Sequence, residues 1–547
     1  MRNNLLEALS DNIAIDKDKC VFCGTCVERC IVDNLRLRLA PCAQSCPLGV
    51  NIQGYIQLAA REKEDEARAQ LLETLPFPSI IGHICDAECE QTCYRATHDG
   101  SSVGINDIKR YLFSDPAVLE RMPLPECEKD TGKRVAVIGS GPAGLIAAYD
   151  LRLQGHEVTV FERAEEPGGM LTQIIPEFRL PLSVAQPEIG RLQKLGIKFQ
   201  CSSEAGVPGT PYALDALRSS YDAVIVATGL GEPKRLGIAG ESNANVMLGL
   251  PFLRAVKTKT APSLKGNVAV IGGGNTAVDA ALAALRQGAS YVTMVSLEAR
   301  QNLPAFRQEL AQAEQEGVVL ECGWGVASME LSGDNVKALV LQQCTSVCDE
   351  KGCFAPSFAP KVNKTLLVDY VLIAVGQNRD NAFLQHSGLN DAAVEKIDRE
   401  TLQLVCPSQA GATDAVFAAG DWVSGPSSAI RAMASGRRAA ESAHLWLIGM
   451  PVDYARDKTV GYVYDFEIED SKCAQPRQLP PMHTVKGKDD WKLTRGALDQ
   501  KQAHAEASRC NSCGGPYGKY RTCWFCLPCE VECKQQALYV QIPYLMR

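Results

Sequence analysis

A chain of 547 residues is too long for one compact fold and has room for about three or four domains. Its 46% hydrophobic and 22% charged residues are an ordinary globular mixture, and no apolar run approaches the roughly 20 residues of a membrane-spanning helix, so no membrane span is expected. The net charge of -8 comes from interspersed acids and bases without a basic stripe, which argues against nucleic acid as a partner. The opening MRNNLLEALSDN has no basic region followed by an apolar core, and a cytoplasmic location is the resulting expectation.

Cysteine is the outlier. Of 23 cysteines, nine fall between Cys20 and Cys93 and six between Cys510 and Cys533. With no secretory signal, that number points to metal or redox ligation rather than to disulfides. The stretch DKDKCVFCGTCVERC spaces Cys20, Cys23, Cys26 and Cys30 as C-x2-C-x2-C-x3-C. Three thiolates on one tight loop hold three irons of a cubane, while the fourth commonly reaches a neighbouring cluster. Zinc instead favours two separated pairs. A second set follows, Cys42 and Cys46 in APCAQSCPLGV, then Cys85, Cys89 and Cys93 in IGHICDAECEQTCYR. Intervening segments such as QLAAREKEDEARAQLLETL have helical periodicity, which predicts an α-helical iron-sulfur domain over 1–130.

The order C-x3-C-P, C-x3-C-x3-C and VGINDIKRYL resembles the N-terminal iron-sulfur domain of the glutamate synthase small subunit family. That family includes the NADPH-binding subunit of electron-bifurcating transhydrogenase and the N-terminal part of dihydropyrimidine dehydrogenase. The resemblance implies two 4Fe-4S clusters held by cysteines of these motifs, one of them taking a Glu or Gln from the next helix; Lys109 stands there. The cysteine pair that the family carries just before Cys42 is displaced, and the run from Cys20 to Cys30 is the expected source of the missing ligands.

KRVAVIGSGPAGLIAAYDLRLQGHEVTVFERAEEPGG reads as strand, glycine turn, helix and strand. Gly139 makes the turn, Gly141 admits a pyrophosphate, Gly144 allows close helix packing, and Glu162 stands where a ribose hydroxyl is bound. In PGGMLTQIIPEFRLP, Glu177 and Arg179 are candidates for lining the flavin, and the absence of a cysteine pair between Glu162 and Pro181 removes a thiol route for electrons. Buried-strand runs end at Gly229 and Gly376. A second dinucleotide motif, GNVAVIGGGNTAVDAALAALRQGASYVTMVSLEAR, offers Gly272, Gly274 and Ala277. NADPH-dependent enzymes of the family carry two adjacent arginines after the second strand. Here Leu297 and Glu298 occupy those places, Ser296 ends the strand, and Arg300, a further candidate for the nucleotide site, is near enough to swing towards a phosphate. A carboxylate repels a 2'-phosphate and accepts from a free ribose diol, so NAD(H) is expected over NADP(H). Cys344, Cys348 and Cys353 read as part of a hairpin or loop.

Gly420 and Asp421 follow a strand and precede a helix. The middle resembles two-dinucleotide flavoproteins throughout, and that resemblance implies that Asp421 contacts the ribityl and phosphate side of FAD. The predicted architecture is α/β with two Rossmann-like domains. An FAD domain, 131–250 and 376–450, is interrupted by an NAD(H) domain, 251–375. A linker over 451–505 then leads to a ferredoxin-like iron-sulfur segment, 506–547, where Cys523, Cys526, Cys529 and Cys533 repeat the C-x2-C-x2-C-x3-C spacing behind Cys510 and Cys513. A zinc ribbon using Cys510, Cys513, Cys523 and Cys526 is the alternative there. Together these features predict an oxidoreductase subunit that moves electrons between NAD(H) and a partner, either ferredoxin or the catalytic subunits of a multi-subunit redox complex, through FAD and several 4Fe-4S clusters. An NADPH-dependent glutamate synthase small subunit, a bifurcating transhydrogenase subunit and a non-enzymatic cluster-bearing adaptor are the alternatives.

Overall fold

The computed structural model describes residues 12–16, 19–380, 396–404, 414–454, 461–468, 475–519 and 523–541. The chain forms two compact units. One comprises Met1–Pro125, Met450–Pro481 and Gly496–Arg547, and the other comprises Glu126–Gly449 and Met482–Arg495.

The second unit is built on two parallel five-stranded sheets. The first runs in the order Val416–Ala418, Ala223–Val226, Arg134–Ile138, Glu157–Phe161, Lys198–Gln200. Its inner strands are the apolar runs RVAVI and AVIV, as expected for a parallel sheet covered on both faces. The helices Pro142–Leu153 and Ala429–Leu447 pack on each other and on this sheet. The second sheet runs Val319–Cys322, Tyr291–Ser296, Asn267–Ile271, Tyr370–Ile373, Val246–Leu248. The alanine-rich helix Asn275–Arg286 is buried against it, its small side chains permitting close approach. Because Val416–Ala418 returns to the first sheet after the second is complete, one dinucleotide fold interrupts the other. An antiparallel sheet, Trp324–Ser332, Asn335–Cys348 and Phe354–Leu367, completes the unit, with Cys344, Cys348 and Cys353 on its last hairpin.

Two boundaries differ from expectation. Val246–Leu248, placed in the first FAD segment by sequence, is an edge strand of the second sheet. The stretch 451–505 is more than a linker. Met482–Arg495 belongs to the second unit, where Trp491 stacks on Phe178 at 6.2 Å and Thr494 donates to the Phe178 carbonyl at 2.9 Å. Asp499 starts the helix Gln500–Ala507 with a full capping box, its carboxylate accepting from the Gln502 N–H at 2.8 Å and its own N–H donating to the Gln502 side chain at 3.1 Å.

The first unit is helical around Tyr55, Leu71, Phe77 and Ile80, with the helices Ile52–Ala60, Glu64–Thr74, Pro78–Ile84 and Ile105–Leu112. Its sheets join distant parts of the chain. Ile13–Ile15 pairs antiparallel with Leu538–Val540, and Leu35–Arg38 lies between Tyr462–Val463 and Gly515–Gly518. Among the described residues no helix is long and apolar enough to cross a membrane.

Candidate functional site

Strand Arg134–Ile138 ends at Gly139, whose φ of 100° and approach to the Ala227 carbonyl, 2.5 Å from where a Cβ would stand, leave room only for glycine. A Cβ on Gly144 would strike the Gly139 carbonyl, so helix and turn pack tightly, whereas a Cβ on Gly141 would meet open space at the helix start. That combination is what a pyrophosphate at a helix N-terminus requires. Glu162, 6% exposed, accepts from the Ser140 N–H at 3.1 Å, the Ser140 hydroxyl at 2.5 Å and the Ala164 N–H at 2.9 Å. These donors orient the carboxylate at the rim of a cleft of about 620 Å³, open mouth included, lined also by Gly139, Arg163, Thr228 and Asp380. The Thr228 hydroxyl is buried there with no hydrogen-bond partner among the described residues. A buried polar atom left so is costly unless a ligand satisfies it, and the cleft therefore fits the nucleotide part of a dinucleotide. Gly229 follows Thr228. A Cβ on Gly420 would stand 2.8 Å from Ala143, which brings Asp421 to the start of the same helix. Burial raises the Asp421 carboxyl above its usual range, against the hydrogen bond it accepts from Ser427 at 2.5 Å. The structure thus gathers Gly139, Gly141, Gly144, Glu162, Gly229, Gly420 and Asp421 around one turn.

The second turn repeats the design. Gly272 has φ 139° and its missing Cβ faces the Ala374 carbonyl, Ala277 lies beneath it, and Gly274 opens onto free space at the next helix start. Gly376, φ 111°, follows the neighbouring strand Tyr370–Ile373. The chain after Tyr291–Ser296 folds back over the turn, with the Ala305 N–H donating to the Gly273 carbonyl at 3.1 Å and Phe306 to Asn275 at 2.8 Å. This places the Glu298 carboxylate directly over Gly273, 2.9 Å from where a Cβ would be. Leu297 turns the other way, towards Gly325. Arg300 is engaged by Glu314, with Nη2 donating at 2.7 Å.

Glu177 and Arg179 have partners in the second fold and do not line the first cleft. Glu177 pairs with Lys257 at 2.7 Å; Arg179, its side chain 14% exposed, pairs with Asp279 at 2.8 Å and with Glu309.

The cysteine loops at the two chain ends are copies of one another. Cys20 accepts from the Phe22 N–H at 3.4 Å and Cys523 from the Phe525 N–H at 3.3 Å, both phenylalanines having positive φ, 54° and 56°. Cys30 accepts from Asn34 at 3.2 Å and Cys533 from Ala537 at 3.3 Å. Each fourth cysteine crosses over: Cys533 packs with Cys20, and Cys30 packs with Cys523 and Cys529. Burial, then the neighbouring Cys20, Cys23 and Cys533, pushes the Cys26 thiol up to about 12; burial, then Cys30 and Cys523, pushes Cys529 up to about 11. Such sets ionise together only around positive charge, which irons supply.

Cys42 and Cys93 share a cavity with Cys510 and Cys513, not with the run from Cys20 to Cys30, which corrects the expected source of the displaced pair. The zinc ribbon is corrected by the same placement, because the cavity that takes Cys510 and Cys513 is lined by neither Cys523 nor Cys526, and Cys523 packs instead with Cys30. Among the described residues no group of three or more His, Cys, Asp or Glu could hold a single metal ion; thiols around a cubane stand apart, across the cluster. Cys46, Cys85 and Cys89 form the remaining set. Burial pushes the Cys85 thiol up to about 11 against the pull of the Lys109 ammonium, which also acts on Cys89. Lys109 is buried, its amine donating to Asn106 at 3.1 Å. Sequence reasoning did not single out Thr228 or Ser140; the serine of GSGPAG was open to inspection, but an unpartnered threonine has no sequence signature.

Two dinucleotide folds joined to cysteine groups of cubane type define a flavin- and iron-sulfur-containing oxidoreductase. Residues 133–436 match the pyridine nucleotide-disulphide oxidoreductase family, and the chain belongs to that family. Residues 27–118 match dihydropyrimidine dehydrogenase domain II, 4Fe-4S cluster, and residues 13–36 match the 4Fe-4S binding domain. The chain is 32% identical to the NADP(+)-dependent formate dehydrogenase subunit beta of Moorella thermoacetica, across 87% of this chain and 70% of that one. It is 32% identical to the glutamate synthase [NADPH] small chain of Azospirillum brasilense, across 74% and 86%, and 30% identical to an NAD-dependent dihydropyrimidine dehydrogenase subunit of Escherichia coli O157:H7, across 75% and 92%. The resemblance to the glutamate synthase small subunit family holds. Kinship leaves the coenzyme open, since these relatives' names carry NADP, NADPH and NAD.

Proposed function

We propose that the chain is the NADH-handling subunit of a larger redox complex, exchanging electrons with ferredoxin or with catalytic partner subunits. Gly139, Gly141, Gly144, Glu162, Gly229, Gly420 and Asp421 would hold FAD, and Gly272, Gly274, Ala277, Glu298 and Gly376 would hold NAD(H). When bound, the nicotinamide supplies a hydride pair, the flavin takes pairs or single electrons, and the clusters take single electrons. The observation that carries the coenzyme choice is Glu298 over Gly273 with Arg300 already paired to Glu314. A carboxylate at the turn favours a ribose diol and opposes a 2'-phosphate, and the nearby Arg300 is engaged by Glu314. The test is anaerobic mixing with each coenzyme: NADH should bleach the flavin absorbance much faster than NADPH, and equal rates would defeat the reading.

The partner-facing part is the loop pair at the chain ends. Cys23 and Cys526 are exposed there, and Trp524, 79% exposed, stands between two cysteines of its loop. Large apolar side chains so exposed mark interaction surfaces. A thiol-rich chain of this kind needs reducing conditions, which suits a cytoplasmic location. Anaerobic tagged purification with mass spectrometry should recover redox subunits in near-equal amounts; recovery of the chain alone with FAD and iron would make it a free-standing NADH:ferredoxin-type enzyme.

A further inference from the structure

The cavity in the first unit lined by Cys42, Cys93, Cys510 and Cys513 contains one more feature. Gln53 also lines it, is 3% exposed, and its side-chain Nε2 is buried with no hydrogen-bond partner among the described residues. Orphaned buried donors are rare because each costs the desolvation of an N–H. An acceptor belongs in that space. The four thiols are brought there from the two ends of the sequence by a deliberate anchor. Arg509, fully buried beside Cys510, donates to the carbonyls of Ser101, Ser102 and Gln475 at 2.7, 3.0 and 3.0 Å and to Glu506 at 2.6 Å. Glu506, equally buried, accepts from the Gly104 N–H at 2.7 Å. These bonds fix the residues before Cys510 against the segment Ser101–Gly104, which follows the short helix Tyr94–His98 next to Cys93. Cys510 itself accepts from the Ser512 N–H at 3.4 Å.

We propose that Cys510 and Cys513 complete, with Cys42 and Cys93, the ligand set of a 4Fe-4S cluster in this cavity, and that Gln53 donates its amide N–H to a sulfur of that cluster. The C-terminal end then closes a site of the helical domain near the N-terminus. An N–H donor at a cluster sulfur stabilises the more negative, reduced state and so raises the reduction potential.

The test uses the full-length protein, purified anaerobically, with iron, zinc and FAD content and low-temperature EPR of the reduced state. Cys42→Ala and Cys513→Ala should lose the same EPR signal and the same amount of iron, with FAD retained, while Cys526→Ala should lose a different signal. If Cys513→Ala instead loses the signal that Cys526→Ala loses, or loses zinc rather than iron, the ligand set is wrong. Gln53→Leu guards against variants that fail to fold. It should keep the iron and the signal assigned through Cys42→Ala but shift that signal's midpoint potential downwards in an EPR-monitored titration. An unshifted midpoint would remove Gln53 from the cluster's environment.

Discussion

On the proposed reading the choice of coenzyme rests, at the residue scale, on Glu298 over Gly273, with Leu297 beside it in sequence. Replacing both with arginine removes the repelling carboxylate and starts one guanidinium, at 298, over the second glycine turn, while the one at 297 leaves from the side of Gly325. A hydrogen bond to a charged group contributes about 1.5–3 kcal/mol, so the ratio of NADPH to NADH flavin-reduction rates should rise by roughly ten- to a hundredfold. Stopped-flow absorbance of the L297R/E298R variant reads this directly, and an unchanged ratio would show that Glu298 does not face the ribose. Two histidines set a separate, pH-dependent property. Burial pushes His83 down to about 4, helped by the Arg110 charge, and burial with the neighbouring His444 does the same to His156. A depressed folded pKa means that the unfolded chain binds the proton first. The contribution is whole above pH 6.5 and is lost as pH falls from there towards 4. Thermal unfolding followed by flavin and cluster absorbance should therefore move to lower temperature across that window, and His156→Gln should flatten part of the fall.

The paired cysteine loops belong to the element scale, because their meaning lies in repetition. Phe22 and Phe525, Cys30 and Cys533 make the same backbone-to-sulfur bonds within a few tenths of an ångström, and the strands Ile13–Ile15 and Leu538–Val540 pair across the pseudo-symmetry. If each fourth cysteine serves the other loop's cluster, Cys30→Ser should change the same EPR signal as Cys526→Ser, and Cys533→Ser the same signal as Cys23→Ser. Matching of Cys30→Ser with Cys23→Ser would restore a separate cluster for each loop. The spacing C-x2-C-x2-C-x3-C made each loop legible in sequence, as did the glycine turns, since both reflect local backbone geometry that a few residue types impose. Pairing between loops was not legible. Nothing local distinguishes Cys510 as the partner of Cys42 from Cys510 as the partner of Cys523, because Cys510 is positioned by the buried Glu506–Arg509 anchor, whose other bonds go to Ser101, Ser102, Gly104 and the chain at 475–478. Glu298 was readable as a residue type, while its position over Gly273 depended on the fold-back through Ala305 and Phe306.

For the whole molecule, the consequence is that the iron-sulfur unit depends on both chain ends while the dinucleotide unit has its own cores. The flavin-type and nicotinamide-type sheets draw their buried strands from 134–418. In contrast, Leu35–Arg38 has Gly515–Gly518 as its antiparallel neighbour, Ile13–Ile15 has Leu538–Val540, and Cys533 packs against Cys20. A chain ending at Leu498 therefore deletes more than its own six cysteines. It takes strand partners from the N-terminal loop and strips two thiols from the cavity that holds Cys42 and Cys93. Closing so long a loop costs only slowly increasing entropy, so the arrangement is affordable in the native chain, but nothing remains to hold it once the end is gone. The truncated protein should keep its FAD and its reduction by NADH, yet retain far less iron than a simple loss of the C-terminal loop's cluster would leave. The ratio of iron to flavin, measured chemically on anaerobically purified protein, decides the matter: loss of one cluster's share would mean that the two ends fold independently, and loss of most of the iron would mean that the unit is assembled across the full length of the chain.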